Sequence, residues 1–164
     1  MKHIYALFAL LITSFVSWGQ TTVTKNFSEF GFSNGQTLPS GTIDENISFT
    51  TEKNSSATDP TYYSSGATIR LYPGGSNGGS ITLNVNEGYI ITSVTFISSQ
   101  NQPIKYFVDG GEEQTMSSSD TYTINENISN SLKFQNANTN TSGSGNQLRL
   151  TGVTVTYTNG TACE

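Results

Sequence analysis

Apolar side chains recur at every second position in this chain, in short runs that Gly, Asn, Ser or Pro interrupt every few residues. That pattern constrains the fold more than any other feature. In Ala67–Tyr72, for example, Ala67, Ile69 and Leu71 point one way, and Thr68, Arg70 and Tyr72 the other. Nothing in the chain after its first 19 residues has the spacing of an amphipathic helix. Without helices to cover a sheet, the strands must bury one another, which predicts two packed antiparallel sheets.

The runs place strands at Thr22–Phe27, Ile47–Glu52, Ala67–Tyr72, Ser80–Val85, Tyr89–Ser98 and Ile104–Val108, then near Gln114, at Thr121–Ile124, at Ser131–Phe134 and from Leu148 onward. Asn86-Glu87-Gly88 predicts a tight hairpin between two of them. Asp109-Gly110-Gly111 predicts another, because both turn positions favour positive φ. Gly74–Gly79 reads as a flexible connection. It lacks the Lys and the following helix of a phosphate-binding loop. In Tyr89–Ser98, Ile90, Val94 and Phe96 are expected on one face. In the last strand Leu148 and Leu150 share one parity, but Val153, Val155 and Tyr157 share the other. A β-bulge at Gly152 would keep all five inward. The expectation is an all-β, antiparallel β-sandwich, jelly-roll-like, of about nine or ten short strands. Ile43-Asp44-Glu45-Asn46-Ile47-Ser48 and Ile124-Asn125-Glu126-Asn127-Ile128-Ser129 echo each other, read as shared turn chemistry rather than duplication.

Residues 1–19 stand apart. Met1-Lys2-His3 is a short basic start, Ile4–Val16 is almost wholly apolar, and Ser17-Trp18-Gly19 offers small residues before Gln20. This is the pattern of a secretory signal peptide. Its apolar run falls short of the about 20 residues of a membrane span. The expected product is secreted, extracellular and free of membrane after cleavage. The β-sandwich domain is placed at 20–158, followed by a tail at 159–164. Asn159-Gly160-Thr161-Ala162-Cys163-Glu164 reads as the opening of a linker, so the chain is expected to be the front of a longer extracellular protein with a covalently linked downstream domain.

Charge and residue inventory exclude several functions. Only 12% of residues are charged and the net charge is −5. Nucleic acid recruits basic patches through counterion release, and no such patch is visible, so no nucleic-acid partner is expected. The single cysteine, Cys163, makes no disulfide scaffold. The single histidine is His3, which leaves with the signal peptide. That removes Ser-His-Asp and Cys-His catalysis and zinc sites built on histidine. Carboxylates alone could serve a glycosidase, given two of them across a cleft and one with a raised pKa. Asp44, Glu45, Asp59, Asp109, Glu112, Glu113, Asp120 and Glu126 mostly fall in predicted turns, where water solvates them. Asp109, Glu112 and Glu113 are the candidates for a structural calcium ion, although their spacing matches no dedicated calcium loop. No other cofactor is expected.

Tyr62, Tyr63, Arg70 and Tyr72 form the candidate binding cluster. An outward Tyr ring can stack on the apolar face of a sugar, and an Arg can bond its hydroxyls. The competing reading has the tyrosines covering the sandwich edge and Arg70 pairing a loop carboxylate. Arg149, between Leu148 and Leu150, mirrors Arg70.

Three blocks carry a family likeness: Pro60–Tyr72, Gly88–Phe96 and Leu148–Tyr157. They resemble a β-sandwich accessory module of secreted multidomain bacterial proteins, found beside extracellular nucleases, other hydrolases or adhesion domains. The resemblance implies a jelly-roll-like fold and a non-catalytic role, and carries no ligand residue onto this chain. Three functions therefore stand open. One is an accessory module that binds an extracellular glycan. The second is a structural spacer or adhesion domain with no small ligand. The third is a carboxylate-only glycoside hydrolase.

Overall fold

The alternation is realised as two six-stranded sheets, every strand pair antiparallel. The computed structural model describes residues 19–160. The expectations for the leader, and for the tail beyond Gly160 with Cys163, lie outside the described residues. In chain order the strands are β1 (Thr21–Asn26), β2 (Gly41–Thr42), β3 (Ile47–Glu52), β4 (Thr61–Tyr63), β5 (Thr68–Leu71), β6 (Ser80–Val85), β7 (Tyr89–Gln100), β8 (Ile104–Val108), β9 (Gln114–Met116), β10 (Thr121–Ile124), β11 (Ser131–Asn136) and β12 (Leu148–Asn159). Sheet A runs β10-β7-β12-β5-β4, with β1 also paired to β12. Sheet B runs β2-β3-β6-β11-β8-β9.

The apolar positions of both sheets face each other, as a jelly-roll-like sandwich requires. Ile69, Leu71, Val94, Phe96, Leu150, Val153 and Val155 of sheet A are fully buried, as are Ile81, Leu83, Leu132 and Phe134 of sheet B. Each such burial stabilises by roughly 1.5–3 kcal/mol. One part of the core is aromatic: Phe27, Phe30, Phe32 and Tyr62 pack around or beside Phe49.

The strand count is twelve rather than nine or ten, because β2 and β4 are too short to show an alternation. The first strand ends at Asn26, and Phe27 opens a 3-10 turn instead. Ala67 is not the first inward residue of its strand. It lies in the turn of the β4–β5 hairpin with φ of 49°. Asn86-Glu87-Gly88 does not close a hairpin either, since β6 belongs to sheet B and β7 to sheet A. The turn is tight, but it carries the chain across the sandwich.

Bulges decide which residues face inward. On β12 the partners step from Leu150↔Ser98 to Gly152↔Ile97, leaving Thr151 as the extra residue. Leu148, Leu150, Val153, Val155 and Tyr157 all stay buried, as the parity switch predicts. A Cβ at Gly152 would lie 2.9 Å from the Lys25 carbonyl oxygen of β1, so the bulge must be a glycine for β1 to pair there. On β7, Thr92 is extra between Ser93 and Ile91. Ile91 rather than Ile90 therefore joins Val94 and Phe96 in the core.

Gly74–Gly79 is packed. A Cβ at Gly74 would meet Ser56 N at 2.7 Å, and one at Gly78 would meet Asn136 O at 2.6 Å. These glycines let three backbone segments approach closely.

Candidate functional site

Strand pairing brings the predicted cluster onto the outer face of sheet A. β5 lies between β4 and β12, and its register aligns Thr61, Arg70, Arg149 and Gln100 as one row across β4, β5, β12 and β7. The next pair along β5 is Thr68 with Tyr63. Inward neighbours Ile69, Leu71, Leu148 and Leu150 are fully buried, which fixes the outward direction of this row.

The Arg70 guanidinium carbon sits 3.9 Å from the centroid of the Tyr63 ring, a cation–π contact. The Tyr72 hydroxyl donates to the Tyr63 hydroxyl at 3.4 Å. Burial, then the hydrogen bond to Tyr63 and that ring's charge, push the Tyr72 phenol up to about 12, against the opposing effects of Thr61 and Arg70. Tyr72 is neutral, and a donor, at any ordinary pH.

Arg70 finds no carboxylate among the described residues. The salt bridges there are Lys25–Glu29, Lys105–Glu113 and Lys133–Glu52. The expected pairing of Arg70 with a loop acid is absent, and the stack on Tyr63 stands in its place. Two buried side-chain atoms among the described residues lack a hydrogen-bond partner, Arg70 Nε and Thr68 Oγ1. Both belong to outward positions of β5. Arg149 donates through Nε and Nη2 to Gln147 Oε1, at 3.3 and 3.2 Å. Gln100 Nε2 donates to the carbonyls of Ser144 and Gln147, tying the 3-10 turn Ser144–Asn146 to the rim of the face.

Beside this row lies a cleft of about 520 Å³, walled by Ser55, Thr58, Tyr72, Pro73, Gly74 and Thr141. Its size suits a small ligand or one or two sugar rings. The tightly packed Gly74 fixes one wall.

Tyr62 does not belong to the site. Its side chain is 5% exposed, and its ring lies 5.4 Å from that of Phe32 in the core. Tyr63, Arg70 and Tyr72 do come together. One face of Tyr63 is taken by Arg70, so that face offers no platform for a sugar. The arrangement instead props a guanidinium, whose fork of donors can engage paired oxygens.

Of the acidic candidates, Asp109 and Glu113 are engaged elsewhere. Asp109 accepts from the backbone N–H groups of Ser129, Asn130 and Ser131 and from the Ser129 hydroxyl, at 2.8–3.0 Å. Burial acts to raise its pKa, but these donors outweigh it and hold the carboxyl below the usual range. A glycosidase acid needs the opposite shift. Glu113 pairs with Lys105 at 3.0 Å, and Glu112 is exposed. No three of His, Cys, Asp and Glu among the described residues gather as a metal-holding group.

Sequence reasoning missed a second concave feature. A groove of about 410 Å³ on sheet B is lined by Glu52, Asn77, Thr82, Phe107, Lys133 and Gln135. The signal was present in Ile104–Val108, where Phe107 takes the outward parity beside Lys105.

No protein-family model matches the chain, and no curated protein matches it. Among solved structures, a mutant of a family 29 carbohydrate binding module is 19% identical, covers 85% of this chain and 92% of its own, and superposes with a TM-score of 0.48. A further carbohydrate binding module of family 29 is 15% identical over 84% of this chain and 89% of its own, with a TM-score of 0.49. Vicilin from Corylus avellana (hazelnut) is 12% identical over 86% of this chain and 33% of its own, with a TM-score of 0.24.

Proposed function

We propose that this chain is a secreted, non-catalytic glycan-binding module whose ligand lies along the outer face of sheet A, over Tyr63, Arg70 and Arg149 and toward the cleft beside Tyr72. One observation carries the reading. Arg70 is held over the Tyr63 ring at 3.9 Å, and no carboxylate among the described residues neutralises it. An arginine needed only to cover the sheet would gain by pairing with one of the acids of this acidic chain. An arginine braced on a ring and left without a partner keeps its donors for a ligand. Sugar hydroxyls on adjacent carbons are spaced to accept from such a fork.

The non-catalytic part rests on the residue inventory. His3 is the only histidine, and Asp109 is held in its ionised form by the backbone N–H groups of Ser129, Asn130 and Ser131. The export part rests on the apolar segment Ile4–Val16.

Affinity gel electrophoresis against a panel of soluble polysaccharides tests this. At least one polysaccharide should retard the protein, and Arg70→Ala and Tyr63→Ala should each weaken retardation by about tenfold or more, roughly 1.4 kcal/mol, with far-UV circular dichroism unchanged. A protein that no polysaccharide retards would be a spacer, and retardation indifferent to Arg70→Ala would place the ligand elsewhere.

A further inference from the structure

We infer that the ligand of this face is an anionic polysaccharide, one that carries carboxylate or sulfate groups. The inference rests on the glycan-binding reading and names its ligand class.

Arg70 and Arg149 are directly opposite each other in the β5–β12 pairing. Side chains so placed have Cβ atoms about 4.5–5.5 Å apart, and like charges there destabilise the sheet. The row they occupy contains no acid: its other members are the neutral Thr61 and Gln100. Arg149 reaches only the neutral Gln147. The chain has 12 acidic residues against 7 basic ones, yet every salt bridge among the described residues is made by a lysine. The two described arginines are thus set side by side, on rigid strands, without a counter-ion.

A neutral sugar would bond these donors but leave their repulsion in place. A carboxylate or sulfate relieves it and accepts bidentately from either guanidinium. The overall charge of −5 makes general attraction to polyanions unfavourable, so retention must come from this local pair.

Isothermal titration on the full chain, at about 0.15 M salt where surface charges are screened beyond about 8 Å, tests the inference. The probes are polygalacturonate against its carboxyl-reduced neutral form, and dextran sulfate against dextran. At least one charged polymer should bind about tenfold or more tighter than its neutral parent, and the two arms separate carboxylate from sulfate. Arg149→Gln should abolish that preference, Arg149→Lys should retain part of it, and Lys53→Gln should leave it intact. Equal binding of charged and neutral partners, or a preference that survives Arg149→Gln, overturns the anionic ligand and leaves glycan binding standing. Failure of all four polymers to bind, repeated across the wider neutral panel above, removes both.

Discussion

Phe96 of β7 and Phe134 of β11 stack across the sandwich, their ring centroids 4.4 Å apart and their planes 29° from parallel. One ring comes from each sheet, and Tyr122 of β10 meets Phe134 edge-on at 5.3 Å. All three are fully buried. Phe134→Ala should lower the unfolding free energy by about 3–5 kcal/mol, read as a shifted urea midpoint at constant slope. A loss under about 1 kcal/mol would mean that the two layers do not share a packed interior.

Asp109 and the backbone of Ser129–Ser131 form a second joint, this time between a hairpin and a neighbouring strand. Asp109 and Gly110 hold φ of 50° and 72° at the turn, as Asp-Gly predicts, and Gly111 N–H closes it onto Val108. Asn tolerates that backbone, so Asp109→Asn isolates the carboxylate. Charged hydrogen bonds contribute about 1.5–3 kcal/mol when buried; for this exposed group a loss of about 1 kcal/mol is expected at pH 7. The folded pKa is depressed, so the contribution is complete above the unfolded value near about 3.9 and vanishes as pH falls through the folded value. Urea curves of the two proteins should therefore converge in acid. A gap that stays constant down to the lowest accessible pH would rule out the carboxylate as its cause.

Gly78 separates a flexible loop from a packed one. A Cβ there would lie 2.6 Å from Asn136 O and 2.7 Å from Tyr72 O. Both neighbours are backbone atoms and cannot swing aside. Gly78→Ala should destabilise by about 1–3 kcal/mol, whereas the same change at Gly75 tests only its positive φ of 66°, with nothing within 4 Å of the added carbon. If Gly78→Ala proves neutral in thermal unfolding, the three segments do not pack as described.

These cases show what was legible in the sequence. Parity alone located the long strands and the Thr151–Gly152 bulge, because five apolar residues across one glycine admit few arrangements. Parity also misled at Asn86–Gly88, since a tight turn looks the same whether it joins strands within a sheet or between sheets. Thr92 was hidden because Thr is equally at home as a bulge or as a solvent-facing residue. Among the site residues, Arg70 and Tyr72 were visible as outward positions of a clear strand. Tyr62 and Tyr63 could not be assigned, because the three residues of β4 show no repeat, and only pairing to β5 sends Tyr62 inward. The Arg70–Arg149 juxtaposition required the pairing of β5 with β12, which joins residues 79 positions apart.

Tyr72 offers a spectroscopic check on the site itself. Its phenol is displaced from 10.0 to about 12, chiefly by burial and then by its bond to Tyr63. Tyr157 is also raised, by burial and by the 2.6 Å bond its hydroxyl donates to Asp44. A group whose folded pKa exceeds its unfolded value stabilises fully below the unfolded value and loses that contribution as pH rises through the folded one. Tyr72 should therefore help hold the fold below pH 10.0 and cease to do so toward about 12. Absorbance at a wavelength specific for phenolate should show these two phenols ionising late, above their ordinary value. Tyr72→Phe should delete one late step and flatten the alkaline loss of stability, and Tyr157→Phe should delete the other. A late step undiminished in Tyr72→Phe would mean that its hydroxyl faces water instead of Tyr63, and the ring beneath Arg70 would lose that contact.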